Sequence, residues 1–201
     1  MLNRTPTLLI ILLLTGCAAF PQHKVAFVAT PLRPTAQSAL LYVDLRTYAG
    51  VPEHASPLGT LHDVMQGIAL QALHEGGLFQ AISFSDEARA HANSVVRLSI
   101  YQQTSTVWPY LTAILNYFSA TIIPVYANEQ YTLTLERLDA TGKVSQSIVD
   151  HDAIHRYAGI LFLPAAMMGK TPSQAVNETL NNQIEDLFAQ AEQRGWFATK
   201  E

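Results

Sequence analysis

The chain has 201 residues, a single cysteine and a formal net charge of −4, with 14% charged and 49% hydrophobic residues. An acidic balance without any Lys/Arg cluster excludes the electrostatic footprint of a nucleic-acid binder and gives no patch for anionic lipid. A lone cysteine leaves no intrachain disulfide, so one domain of this length must live on its own core.

At the N-terminus, Met1-Leu2-Asn3-Arg4 is a short positive n-region, and Leu8 to Leu14 is an unbroken run of Leu and Ile, as in the h-region of a secretory signal. Such a run reaches only about 10 Å as a helix, against about 30 Å of hydrocarbon, so it is no permanent anchor. Leu14-Thr15-Gly16-Cys17 follows: an aliphatic residue, two small residues and the only cysteine. This resembles the lipobox of bacterial lipoproteins.

The resemblance implies a signal peptide over 1–16, diacylglycerylation of the Cys17 thiol, cleavage before Cys17 and acylation of the new α-amino group, palmitate being a typical chain. Each buried CH2 of such an anchor contributes about 0.8 kcal/mol. Ala18, with no Asp after the cysteine, resembles the outer-membrane sorting pattern. The alternative is an ordinary secretory signal cut near Ala18-Ala19. Residues 17–23 are expected to be the lipidated N-terminus and a short tether, and 24–201 a single periplasmic domain. Loss of Arg4 leaves that mature chain eleven Lys+Arg against sixteen Asp+Glu.

Lys24 to Ala29 and Ser38 to Tyr48 read as strands, the second with Leu41, Val43 and Leu45 at period two. Prolines break the chain between them, and Gly50 to Gly59 reads as a loop. Thr60 looks like an N-cap, with Leu61, Val64, Met65, Ile68, Ala69 and Ala72 at helical spacing and Gly76-Gly77 as the stop. Leu78 to Phe84 and Ser94 to Tyr101 read as strands around a polar turn or short helix. Tyr131, Leu133 and Leu135 alternate with polar partners before the turn at Asp139 to Gly142, and Val144 to Val149 completes a hairpin. Thr171-Pro172 caps a final helix with a stripe of Val176, Leu180, Ile184, Leu187, Phe188 and Ala191. The expected fold is α+β: a mostly antiparallel sheet of about six strands, two amphipathic helices on one face, and two apolar insertions at one end of the sheet.

Those insertions are 107–127 and 157–169. No charged residue falls between Leu98 and Asn128, nor between Tyr157 and Gly169. The first has about the length of a membrane span, with Trp108 near one end, but Pro109, Asn116 and Pro124 interrupt it. The other readings are a membrane-dipping or partner-binding surface, and plain core. If the strands flanking 104–129 are antiparallel neighbours, both segments emerge at one end of the sheet, where exposed apolar patches mark a partner or lipid. Trp108, Leu115, Phe118, Ile122, Phe162 and Met167 are the candidate contact residues.

Polar chemistry is sparse. Asp150-His151-Asp152 with His155 is the densest cluster, and two histidines beside carboxylates fall short of a zinc site. No metal ligand set, cofactor motif, G-x-S-x-G elbow or H-E-x-x-H occurs. The sequence therefore predicts a non-catalytic envelope lipoprotein, anchored through Cys17 on the periplasmic face of the outer membrane, that binds an envelope protein or lipid through the apolar segments. The alternatives are a subunit of an oligomeric membrane pore or secretion accessory, and a periplasmic hydrolase built around His151 and His155.

Overall fold

The computed structural model describes residues 17–25, 40–104, 107–119, 125–159 and 170–197, with 107–110 traced by backbone alone. Among the described residues there are seven strands: β1 (Cys17–Pro21), β2 (Leu40–Ala49), β3 (Ser56–Pro57), β4 (Ala81–Ser83), β5 (Ser94–Thr104), β6 (Val125–Leu138) and β7 (Val144–Ala158). The helices are α1 (His62–Gly76), α2 (Asp86–Arg89), α3 (Val107–Phe118) and α4 (Pro172–Gln193). The sheet order is β1-β7-β6-β5-β2-β3, with β4 also on β2. The fold is α+β on a mostly antiparallel sheet, as the alternating patterns predict. The exceptions are β4 and β5, which both run parallel to β2.

The chain divides into two compact units. The larger comprises 23–103, 130–152 and 179–201. Its core is the helix-facing side of the sheet: Leu41, Val43 and Leu45 of β2, Val96, Leu98 and Ile100 of β5, and Tyr131, Leu133 and Leu135 of β6 are all buried. The register sets Val43 beside Val96 and Leu45 beside Leu98, so period-two alternation puts one apolar row per strand on the same side. Over it lie Met65, Ile68, Ala69, Ala72 and Leu73 of α1 and Leu180, Ile184, Leu187 and Phe188 of α4. Phe79 meets Phe188 and Phe197 edge-on at 6.3 and 4.9 Å. The opposite side is polar: Arg97 bridges Asp44 (2.8 Å) and Glu136 (3.4 Å), and Tyr48 stacks on Tyr101.

Several boundaries differ from expectation. Thr60 does not cap α1: it lies in a 3-10 turn, Gly59–Leu61, and Leu61 is the N-cap without a side-chain bond. Gly77, left-handed at φ 65°, ends α1 as predicted, whereas Val64 faces solvent. At α4 the expected cap is a full capping box, with Gln174 N–H donating to Thr171 Oγ1 (3.3 Å) and Thr171 N–H to Gln174 Oε1 (2.9 Å). The hairpin strands are longer than the alternation suggests, β7 reaching Ala158. Of the strand expected at Lys24 to Ala29, residues 24 and 25 are not strand and 26–29 lie outside the described residues.

The smaller unit comprises 1–22, 104–129 and 153–178, and it overturns the expected tether. Cys17–Pro21 is not free chain but an edge strand, antiparallel to β7 with Cys17 opposite Ala158 and Pro21 opposite Ile154. Ala18 and Ala19 are both buried: side chains this small let β1 be covered on both faces. Ala19 N–H donates to Lys170 O (3.2 Å) and Gln22 N–H to Ala153 O (2.8 Å).

Candidate contact surface

α3 begins three residues after β5 and leads back into β6, the strand beside β5. Thr104 and Val125, which flank it, belong to the same unit, so both ends of the helix are tied to the strand ends where β5 finishes and β6 starts. Pro109 falls in its first turn, where a missing N–H breaks no intrahelical bond. The spanning reading is not sustained. Twelve residues make about 18 Å of helix, short of about 30 Å of hydrocarbon. Among the described residues no helix is long and apolar enough to cross a membrane.

The polarity of α3 is inverted. Leu111, Ile114, Leu115, Tyr117 and Phe118 are 47, 55, 43, 81 and 80% exposed, and Ala113 is exposed as well. The less exposed residues are the polar ones, Thr112, Asn116 and Ser119, and each of them has an interaction partner. At about 100° per residue these three span an arc of about 60°, and the apolar residues occupy the rest. A helix of a globular domain normally does the reverse. Val107, Trp108, Pro109 and Tyr110 open the helix; the Trp108 side chain lies outside the described residues, as do Ile122, Phe162 and Met167. Leu111, Ile114 and Tyr117 belong to the surface although sequence reasoning did not single them out. Their spacing with Leu115 and Phe118 was the available signal.

Cys17 is exposed at the start of β1. Because it pairs with Ala158, it lies at the end of β7 and therefore at the start of β6, whose Tyr126 ring is 5.2 Å from Tyr157. Cys17 and α3 thus occupy the same end of the sheet within one unit. Below Cys17 an aromatic and polar cluster fastens β1. Phe20 packs edge-on against Tyr157 at 6.1 Å. His155 is held at both nitrogens, by Tyr126 Oη at Nδ1 (2.8 Å) and by Gln22 Nε2 at Nε2. This pattern fits the tautomer that donates from Nδ1 and accepts at Nε2. Glu129, nearly buried, meets Arg156 at 2.7 Å.

The polar cluster of the sequence does not gather. It lies inside β7 rather than at a solvated strand end. His151 bonds Thr132 Oγ1 (2.9 Å), a different neighbour from those of His155. Asp152 is buried, with its Oδ1 3.4 Å from the Lys24 amide. Burial pushes the Asp150 carboxyl above its ordinary range, and the nearby Asp186 and Asp152 add to the effect. Among the described residues no group of three His, Cys, Asp or Glu converges as a metal requires.

No family model matches the chain, and no curated protein matches it. Among solved structures it is similar to a neuraminyllactose-binding hemagglutinin homolog from Helicobacter pylori, at 10% identity and TM-score 0.44, covering 85% of this chain and 95% of that one. It is also similar to the PelC dodecamer from Paraburkholderia phytofirmans, at 15% identity and TM-score 0.40, covering 80% and 93%. Likenesses of this size carry no argument about what this chain does.

Proposed function

We propose that the chain is a non-catalytic envelope lipoprotein, held on the periplasmic face of the outer membrane by acyl chains on Cys17, and that α3 offers its apolar face to a protein or lipid partner. The observation that carries this reading is the inverted polarity of α3. Leaving large apolar side chains in water forgoes about 1.5–3 kcal/mol for each one that a partner would bury fully. The lipobox and the exposed position of Cys17 support the anchor. The test is growth with an alkyne-bearing palmitate. The full-length protein takes up the label and Cys17→Ala does not; an unlabelled wild-type chain overturns the anchor. Leu115→Ser and Phe118→Ser are expected to lose the partner at unchanged unfolding temperature.

A further inference from the structure

The acyl chains of Cys17 and the apolar face of α3 leave the fold at one end, and their juxtaposition narrows the partner. We propose that the occupant of that face is the lipid bilayer, with α3 lying flat in the membrane interface as a second, non-covalent anchor. This step rests on the acylation of Cys17 argued above.

Three observations favour a bilayer over a protein. The first is distance. Cys17 is the first residue of β1 and pairs directly with Ala158, so no free tether separates the acyl chains from the end of the sheet at which the chain enters and leaves α3. A membrane holding those chains meets this end of the unit. The second is chemistry. Protein interfaces carry roughly one hydrogen bond per 100–200 Å² and a polar rim. Among the described side chains the outward arc of α3 offers hydrocarbon and one phenol, that of Tyr117, and no charged residue lies between Leu98 and Asn128. A bilayer interface asks for no directional partners, and a Tyr tip suits the headgroup level. The third is length. A twelve-residue helix is too short to span but suits an in-plane position, where an apolar face sinks about 5–10 Å below the headgroups.

Acylation consumes the only thiol, so Phe118→Cys and Val144→Cys each give the full-length lipidated protein one site for a nitroxide spin label. Val144 is exposed at the other end of β7. In vesicles of phosphatidylethanolamine and phosphatidylglycerol, the label at 118 is expected to become severalfold more accessible to oxygen than to a water-soluble nickel chelate. The label at 144 should stay open to nickel. Nickel access at 118 equal to that at 144 overturns the proposal, and shielding of 118 from both reagents overturns it in favour of a protein or a second copy. The intact mass of the N-terminal peptide reports acylation separately. If it shows none, the anchor falls alone, and α3 is judged by the same label ratio after mixing the chain with excess vesicles.

Discussion

Cys17 stands opposite Ala158 in the register of β1 and β7, so the residue proposed to carry the lipid is itself part of the sheet. A lipoprotein on a flexible leader tumbles above its membrane, whereas here the proposed attachment point is bonded to the strand that also bears His155, Arg156 and Tyr157. The packing of Ala18 and Ala19 decides whether that bond holds.

Ala19→Leu forces a large side chain into a filled position, which costs about 1–3 kcal/mol. β1 is expected to come off β7 and expose Lys24 to trypsin, while the wild-type chain resists. Equal cleavage rates for the two proteins would show that β1 is not packed as described.

Exposure on α3 separates surface from core in a single denaturation series. Phe118→Ser is expected to change unfolding free energy by less than about 0.5 kcal/mol, as for surface positions generally. Leu180→Ala, at a fully buried site, is expected to cost about 2–5 kcal/mol. A large loss at Phe118 would return α3 to the core.

Much of this architecture was legible because local and tertiary preferences agree. The alternation of Leu41, Val43 and Leu45, the Asp139 to Gly142 turn, and the Thr171-Pro172 cap each specify an element without help from distant chain. Failures came where a distant partner decides. Cys17–Pro21 has no strand pattern of its own and becomes one because β7 offers an edge. The far half of β7 was hidden by Asp150, His151 and Asp152, whose polarity breaks the alternation, although His151 is met by Thr132 and Asp152 by the Lys24 amide. For α3, composition announced an apolar segment but not its direction, because helical spacing gives a stripe and not the side it faces.

Glu129 and Arg156 form a largely desolvated ion pair at 2.7 Å. Arg156→Met removes the cationic partner of a nearly buried carboxylate and is expected to cost about 3 kcal/mol. Adding Glu129→Gln should restore part of that loss, a coupling that a double-mutant cycle by urea denaturation measures directly.

Asp150 supplies a pH signature. Burial raises its folded-state pKa above the ordinary value of 3.8, so the native state favours its protonated form. Its contribution to stability is complete below that ordinary value and is lost as pH rises through the raised one. Asp150→Asn keeps the oxygen that accepts the His151 amide (2.7 Å) and removes the titration. The variant should be more stable than wild type at pH 7, and the two should converge toward pH 3. Parallel urea midpoints from pH 3 to pH 8 would refute this account.

The pairing of β1 with β7 also sets an order of events in time. β1 finds its full partner only after residue 158 has been made, a sequence separation that ranks among the slowest kinds of contact to form. Until then Cys17 lacks its β7 partner, which leaves the proposed lipobox open to a modifying enzyme. On the lipoprotein reading proposed above, lipid attachment would precede closure of the sheet, and β1 would fold onto a chain already tied to its membrane.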